Sequence, residues 1–367
     1  MDPDRLTDHL KAMALELGAV KVGVARRADL EGPPEADLDR VMPGATHAIS
    51  LMAIEPEDLI LAYLAKTDPK PYRDHFYDNI QLLGRIGLAL ADALAERGHR
   101  ALALSPNGVY APGSTIGHLL PPLSHRYVAH AAGIGAIGYS GNVMSPEHGT
   151  RIYLSTVVTD APLVADGPLD ENPCDDCKLC VAACPAQFMS GSERVAFTMG
   201  GREISHARKR SHAACAVSCG GFTGLSPDGT WSTLATSLRP VPEDDAEAER
   251  LFGEMLGKRL RYLGENPERP NFVRLSDPVD GYGPDNQGIL ARPRHDTHTT
   301  CGNCAIVCIE TKKLRARALK TLRSSGVVVG ERADGSPVVM GAADAAAYRA
   351  EHCEPYMDEG RTPAATA

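Results

Sequence analysis

Four closely spaced cysteines followed by a proline are the part of this chain that points most directly to a chemistry. They lie in CDDCKLCVAACP (174–185), which has the spacing C-x2-C-x2-C-x3-C-P. Thiolates at this spacing bind a [4Fe–4S] cluster in bacterial two-cluster proteins, in which the fourth cysteine binds the other cluster. The pattern therefore predicts one cubane cluster here and a second set of cysteines elsewhere. The four residues are Cys174, Cys177, Cys180 and Cys184.

The segment TTCGNCAIVCIE (299–310) supplies such a second set. Two clusters need eight thiolates, and the two runs contain seven cysteines. Cys215 and Cys219 are both candidates for the eighth ligand, because a spacing of four residues places them on one face of a helix. We expect one of them to join Cys184 at the second cluster. The cysteines of the second run are Cys301, Cys304 and Cys308.

The expected exchange between the runs works in both directions. If Cys184 leaves the first run for the second cluster, the first cluster needs a ligand from the second run. We expect this ligand to be Cys308, which would complete the set that begins with Cys174. Cys353 stands apart from both runs and is expected to be a spare thiol.

Zinc and disulfides are the alternative interpretations of these cysteines. A structural zinc site has four ligands, which two separate C-x2-C pairs commonly supply. A single run of four cysteines followed by proline does not match this pattern. The opening MDPDRLTDHLKAMALEL has neither the basic start nor the apolar core of a signal peptide. We therefore expect a cytoplasmic protein with reduced thiols.

Size and composition limit the remaining possibilities. The chain has 367 residues, 43% of them hydrophobic, which is enough for two modest domains. No stretch approaches the ~20 apolar residues of a membrane-spanning helix. The formal net charge of −9 disfavours broad nucleic-acid binding. Two basic patches, 202–210 and 312–323, are interpreted as solvated helix faces.

The order of the predicted elements indicates two parts. Apolar runs such as HAISLMAI (47–54) and RIYLSTVVTD (151–160) predict strands, and the apolar spacing in 79–98 predicts a long helix. Helices would cover a central sheet in this first part. From about residue 171 cysteine, proline and loops dominate. The expected divisions are 1–170, 171–325 with an insertion over about 220–300, and a C-terminal extension, 326–367.

The insertion and the tail show little of the periodicity that predicts helices and strands. Residues 267–288 are rich in Pro, Gly and Asp, and a long irregular segment in a compact protein is commonly functional or disordered. Beside a redox centre we interpret it as a lid or a substrate wall. The tail from about residue 358 is expected to be poorly ordered.

A glycine-rich segment, AGIGAIGYSGN (132–142), precedes the first cysteine run. Glycine permits positive φ and a close approach of the backbone to a ligand. The G-x-G-x-x-G pattern at 133–138 follows no predicted strand, so it lacks the context of a dinucleotide site. A tight packing turn is the other interpretation of this segment.

Read together, these segments resemble the cobalamin-dependent iron–sulfur reductases, a family that includes reductive dehalogenases and epoxyqueuosine reductases. The resemblance is carried by AGIGAIG (132–138), SPEHGTR (145–151), TDAPL (159–163) and the first cysteine run, in the family's order. YRDHFYDNIQLL (72–83) resembles a helix start of epoxyqueuosine reductase. The second cysteine run also matches, although Ile309 replaces the usual proline.

The resemblance implies an α+β protein with a nitroreductase-like cobalamin-binding domain followed by a two-[4Fe–4S] bacterial ferredoxin-like domain. It implies a base-off cobalamin that receives electrons from both clusters, a small organic substrate, and an external ferredoxin or flavodoxin as electron donor. His130 is conceivable as a lower cobalt ligand, although the resemblance argues against one. The residues expected to contact the cofactor are His130, Gly133, Gly135, Gly138, Tyr139, Ser140, Gly141 and Asn142.

A tyrosine or a carboxyl group would supply the proton in such a reductase. Tyr139 is the preferred donor, because it lies in the segment expected to face the corrin. Tyr77 and Tyr127 are further candidates, and His125 and His130 are considered with them. A packed, amphipathic role is the common alternative for a tyrosine.

The chain departs from the family at informative places. Tyr139 stands where the family has Lys or Arg, and HLLPPLSHR (118–126) has no carboxylate where epoxyqueuosine reductase has its acidic residue. The helical-repeat tail of that enzyme and a twin-arginine leader are not found either. These departures favour a cytoplasmic reductase of another small organic substrate. The alternatives are a two-cluster electron-transfer protein without cobalamin and a tRNA-modifying enzyme similar to epoxyqueuosine reductase.

Overall fold

The structure is a computed structural model, and the residues it describes leave several predictions untested. Residues 107–119, most of the insertion, Cys353 and the tail lie outside the described residues. Cys219 ends a described helix, but its side chain is outside the described set. The described residues are 2–106, 120–219, 226, 229–233, 242–254, 301–332 and 336–351.

A four-stranded antiparallel sheet forms the centre of the N-terminal part, with the strand order β1-β2-β6-β3. Antiparallel strands flanked by helices make this an α+β arrangement, as predicted. The elements are α1 (Pro3–Glu16), β1 (Lys21–Arg26), β2 (His47–Ile54), α2 (Glu57–Leu64), α3 (Lys70–Ala95), β3 (Ala101–Leu104), α4 (His125–Ala131), β4 (Ala136–Ile137), β5 (Val143–Met144) and β6 (Ile152–Thr159).

Both faces of this sheet are covered, which explains why β2 is apolar at every position except His47 and Ser50. Successive side chains of a strand point to opposite faces. Ile49 and Leu51 pack in the core shared with α1 and α3. Ala48 and Met52 pack in the core shared with α4. The long helix α3 begins at Lys70, earlier than predicted, and the strands predicted at 47–54 and 151–160 are confirmed.

The second part is built around a long β-hairpin and short helices. One of the two basic-patch predictions is wrong: residues 202–209 form the strand β8, which pairs with β7 and is not a helix face. The other patch is helical, as predicted. The elements are α5 (Leu179–Ala182), β7 (Met189–Met199), β8 (Arg202–Lys209), α6 (His212–Cys219), α7 (245–254), α8 (Asn303–Ile306), α9 (Lys312–Ser324), β9 (Val327–Glu331), β10 (Pro337–Met340) and α10 (Ala342–Glu351).

Among the described residues, no helix has both the length and the apolar character that a membrane crossing requires.

Candidate redox centre

The fold brings the two cysteine runs together although more than a hundred residues separate them. Burial raises the pKa of Cys180 to about 12, and Cys308, Cys304 and Cys174 act as charged neighbours of this thiol. Burial likewise raises the pKa of Cys308 to about 12, with Arg315 opposing and Cys174 and Cys177 contributing. Cys308 therefore lies among the first three cysteines of the first run, where the expected exchange places it.

The other cysteines lie beside the first set. Cys184, Cys215 and Cys304 border an apolar cluster that contains Phe188, Ala207 and Cys180, and Cys174 borders the same cluster. Cys301 is 3% exposed and packs against Cys215. Of the two candidates for the eighth ligand, Cys215 is thus the one whose described side chain lies with the second set. Its role as a ligand remains a prediction.

Eight cysteines are described, and no disulfide joins them. No three His, Cys, Asp or Glu side chains of the described residues are close enough to hold a single metal ion. A [4Fe–4S] cubane is larger than an ion and takes one thiolate at each of its four irons, so its ligands stand farther apart. The number of described thiols matches what two such clusters require, and their division between the two clusters remains a prediction.

Left-handed residues lie between the cysteines of both runs. In the first run Asp176 has φ +54°, and Lys178, the N-cap of α5, has φ +57°. In the second run Gly302, the N-cap of α8, has φ +60°. Left-handed backbone is unfavourable for residues with a Cβ atom and persists where the surrounding structure requires it. Each run therefore has a left-handed residue directly before a short helix.

Arg315 on α9 ties the two runs to each other. Its side chain is 4% exposed and donates to Asp175 Oδ1 at 2.6 Å in the first run. It also donates to the carbonyl oxygens of Ile309 at 2.8 Å and Glu310 at 3.1 Å in the second run. A further contact joins its guanidinium to Cys177 Sγ at 3.5 Å. One residue of the predicted basic patch is therefore part of the redox centre.

The glycine-rich segment packs directly on the cysteine runs. A Cβ atom on Gly138 would lie 3.3 Å from Cys174 Sγ, and one on Gly141 would lie 2.6 Å from Lys209 Nζ. The backbone N–H of Tyr139 donates to Cys174 Sγ at 3.3 Å, and Asn142 Nδ2 lies 3.9 Å from Cys304 Sγ. The packing interpretation of this segment is confirmed. Its contact with a cofactor remains a prediction.

Gly149 gives a test of how closely the sheet is joined to the second cysteine run. Its φ is +61°, and an added Cβ atom would lie 2.3 Å from the carbonyl oxygen of Cys308. Gly149→Ala is expected to destabilise the fold by about 2–5 kcal/mol, the sum of a left-handed alanine and an overpacked contact. Urea unfolding measures this difference.

Gly98→Ala is the matched control for that experiment. Gly98 also has positive φ, +82°, but nothing lies within 4 Å of an added Cβ atom. The control should show only the left-handed cost of about 1–2 kcal/mol. Equal losses in the two variants would contradict the close contact at Cys308.

Tyr139, the preferred proton donor, is placed as a structural residue. It is 3% exposed, and its hydroxyl donates to the carbonyl oxygen of Ser190 at 3.0 Å. Lys178 Nζ and the Arg194 guanidinium lie 5.4 and 5.1 Å from its ring centre, within the range of cation–π contacts. The hydroxyl proton of Tyr139 is therefore already used in a hydrogen bond. The role of Tyr139 as proton donor to a substrate stays a prediction.

The other proposed donors lie on separate elements. Tyr77 is on α3 and Tyr127 is on α4, and these helices pack on opposite faces of the sheet. Burial raises the pKa of Tyr127, whose ring is 5.3 Å from that of Phe197. His125 contacts Thr156 Oγ1 at 2.8 Å and the Ser105 carbonyl oxygen at 2.9 Å, as a structural histidine would. These residues do not form one site.

A buried acid that sequence reasoning missed lies just after β2. Glu55 is 1% exposed, and Tyr153 donates its hydroxyl proton to Glu55 Oε2 at 2.6 Å. His75 Nδ1 is 3.1 Å from Oε1, but the same nitrogen is 3.0 Å from Asn79 Nδ2, and no donor is aligned on Oε1. The signal in the sequence was a lone acid that directly ends an apolar strand.

The network continues towards the second cysteine run. Tyr72 is hydrogen-bonded to Tyr153, and burial is the largest cause that raises its pKa, with Glu55, Cys301 and Cys304 contributing. The start of β6 reaches the same run through its backbone, because Thr150 N–H donates to the Cys308 carbonyl oxygen at 2.8 Å. Glu55 is therefore connected to the redox centre through neighbouring residues.

Glu55 leads to a prediction about pH and stability. Burial raises its pKa above the ordinary value of 4.5, with Tyr153 and His75 opposing. Between the pKa of Glu55 in the unfolded chain and its higher pKa in the folded protein, the folded state holds a proton that the unfolded state has lost. Because of this difference, the free energy of unfolding falls as pH rises through that range. Glu55→Gln stays neutral and is expected to gain stability relative to the parent at pH 8 but not at pH 4. Urea unfolding at both values measures the difference.

Glu57→Gln is the control, because Glu57 lies on α2 two residues away with its side chain 32% exposed. It should change stability similarly at both pH values. A Glu55→Gln variant that follows the pH profile of the parent protein would contradict the buried neutral acid.

The sequence comparisons agree with the family resemblance. No protein-family model matches the chain. The epoxyqueuosine reductase of Staphylococcus aureus is 40% identical over 70 residues, which are 19% of this chain and 18% of that protein. That of Pseudomonas aeruginosa is 27% identical over 223 residues, which are 53% of this chain and 58% of that protein. The chain resembles the epoxyqueuosine reductases.

The similarity covers only part of each relative. Even the longer matches span little more than half of the relatives' length, 58% in Pseudomonas aeruginosa and 54% in Vibrio cholerae. Solved structures with partial similarity include the epoxyqueuosine reductase from Streptococcus thermophilus, at 20% identity and a TM-score of 0.36 over 53% of this chain and 55% of that one. A catabolic reductive dehalogenase in complex with 3-bromo-4-hydroxybenzoic acid has 18% identity and a TM-score of 0.45 over 75% of this chain and 38% of that one.

A polar pocket of about 630 Å³ lies at the other end of the β7–β8 hairpin. His130, predicted as a cofactor contact, lines this pocket together with His47, Arg26 and Arg202. Burial is the largest cause that lowers the pKa of His130 to about 4, and the charge of Arg202 adds to it. The structure thus separates His130 from Gly138 and Tyr139, which lie against the cysteine runs.

Proposed function

We propose that the chain is an oxidoreductase, a reductase that passes electrons through two [4Fe–4S] clusters to cobalamin and reduces a small organic substrate. The observation that carries the proposal is the place of Cys308 among Cys174, Cys177 and Cys180, which is the exchange of ligands expected between two neighbouring clusters. Partial similarity to epoxyqueuosine reductases supports the reductase activity.

The described residues suit the clusters better than they suit cobalamin. Eight described thiols match the number that two cubanes need. The glycines expected to approach the corrin are packed against the protein itself: Gly133 against the Gly167 carbonyl oxygen, Gly135 against that of Met144, and Gly138 against Cys174. They form no open cradle, so cobalamin enters the proposal through the family resemblance and no step is derived through it.

In the proposed arrangement residues 1–170 bind the cobalamin, residues 171–325 hold the clusters, and 326–367 extend the C-terminus. The protein's own contribution that can be derived is the gathering of thiols from two distant runs, with Cys180 and Cys301 buried. Arg315 lies beside Cys308, and its positive charge opposes the rise that burial causes in the pKa of that thiol. An external ferredoxin or flavodoxin would supply the electrons.

Anaerobic reconstitution tests this proposal. The purified chain would be loaded with iron and sulfide, mixed with cobalamin, passed through a desalting column and analysed for iron, sulfide and cobalt. We expect about eight irons and one cobalt per chain, together with the spectrum of a base-off corrinoid. Two clusters without retained cobalt would instead favour the two-cluster electron-transfer protein. No clusters would overturn both.

A second candidate function is the reduction of epoxyqueuosine in tRNA, and the names of the relatives favour it over a small organic substrate. One similar solved structure is an epoxyqueuosine reductase with a modified tRNA stem loop. Against it stands the segment 118–126, which has no carboxylate. Incubating the loaded protein with epoxyqueuosine-containing tRNA and a reductant, then quantifying queuosine, decides between the two substrates.

A further inference from the structure

The pocket at the tip of the β7–β8 hairpin is built by close packing. Gly200 lies in the turn with φ +55°, its N–H donates to the Glu31 carbonyl oxygen at 2.8 Å, and an added Cβ atom would be 2.6 Å from the Asp29 carbonyl oxygen. Gly32 approaches Thr198 in the same way. The hairpin tip is thus docked on the segment that follows β1, and the cavity of about 630 Å³ is preformed.

The charges around this pocket leave one cation without a carboxylate. Asp29 is held by Arg26 at 3.1 Å, and Asp166 is held by Lys11 and by the Val24 N–H at 2.7 Å. Arg202 has no carboxylate partner among the described residues, and its charge reaches His130 across the pocket. The pocket therefore presents the Arg202 guanidinium without an ion pair, although Asp29 and Asp166 also line it.

Apolar residues also line this polar pocket. They are Leu163, Val164, Pro168 and Met199, of which Val164 is 43% exposed. Ligand pockets combine apolar surface with a few polar groups that fix orientation, in volumes of about 300–1,000 Å³. The lining suits a molecule with an apolar body and a single anionic group.

The pocket is separate from the redox centre. Met189, at one end of β7, packs in the cluster that borders the cysteines, whereas Met199, at the other end, lines the pocket. A strand rises about 3.3 Å per residue, so these ends lie on the order of 30 Å apart. A ligand here would not touch the clusters, and its binding does not depend on the proposed function.

We propose that this pocket binds a small organic anion, a carboxylate or phosphate monoester on an apolar body, with Arg202 as the residue that holds the anionic group. A guanidinium pairs with either anion through two parallel hydrogen bonds. His130, whose Nδ1 is buried without a hydrogen-bond partner among the described residues, would contribute this ring nitrogen to the same ligand.

Isothermal titration of the cluster-loaded protein tests the proposal with phenyl phosphate, benzoate, phenol and inorganic phosphate as probes. We expect saturable binding of phenyl phosphate, of benzoate or of both, and at least tenfold weaker binding of phenol. Arg202→Gln should lower the affinity for the anion about tenfold or more, because a charged hydrogen bond is lost. Which of the two anions binds more tightly identifies the anionic group.

Arg208→Gln is the matched control, because Arg208 lies on the same strand and is paired with Glu193 at the surface, outside the pocket. It should bind the anion as the parent protein does. The proposal is overturned by absence of saturable binding for both organic anions, by equal binding of phenol, or by equal losses in the two arginine variants. Thermal unfolding of each variant shows that the fold is retained.

Discussion

Replacing Cys308 by serine is expected to remove about half of the iron and sulfide from the reconstituted protein. The loss should fall on the cluster of the first run, because Cys308 lies beside Cys174, Cys177 and Cys180 and not with the nearer cysteines of its own run. A [4Fe–4S] cluster needs all four thiolates for stable binding. Iron and sulfide analysis measures the loss, and the spectrum of the reduced protein shows how many clusters remain.

The comparison of Cys215→Ser with Cys219→Ser completes that experiment. Cys215 packs against Cys301 and borders the same apolar cluster as Cys304. Cys215→Ser is therefore expected to lose about half of the iron as well, whereas Cys219→Ser keeps it all. The double variant with Cys308→Ser should hold no cluster. Full iron content in Cys308→Ser would contradict the exchange of ligands between the runs.

Replacing Arg315 by glutamine is expected to destabilise the protein by about 3 kcal/mol, because three hydrogen bonds to buried or partly buried groups are lost together. The carbonyl oxygens of Ile309 and Glu310 would lose their donor, and Asp175 would lose its ion pair. Asp175 is 41% exposed, so water replaces part of that pair and the loss is smaller than for a fully buried one. Urea unfolding of the unloaded protein measures the change.

Arg317→Gln provides the control on the same helix. The Arg317 side chain is 63% exposed, and its Nη1 lies 3.8 Å from Glu57 Oε1. Such a surface ion pair contributes little to the stability of the fold. Its replacement should cost less than about 1 kcal/mol. Arg315→Lys should not restore stability, because an ammonium group cannot reach three acceptors in the geometry of the planar guanidinium. Equal stability of the two glutamine variants would show that Arg315 does not join the runs.

Much of the secondary structure could be predicted because its patterns are local. The apolar residues of α1 recur at helical spacing, and those of β2 form a short apolar run typical of a buried strand. Both elements lie where the sequence predicts them. The strand β8 could not be recognised as one, because its charged residues alternate with few large apolar ones. Its strand conformation comes from pairing with β7, from Met189↔Lys209 to Met199↔Arg202, which is a tertiary fact.

The sequence by itself determined the cysteine chemistry, because ligand spacing is a property of the local chain: two runs, an expected exchange between them, and a resemblance to iron–sulfur reductases. Only the tertiary structure decided which side chains meet. It placed Cys215 beside Cys301, engaged the Tyr139 hydroxyl with Ser190, and revealed Glu55 and the Arg202 pocket. The physical reason is that burial and charge pairing depend on neighbours distant in sequence, which residue spacing does not encode.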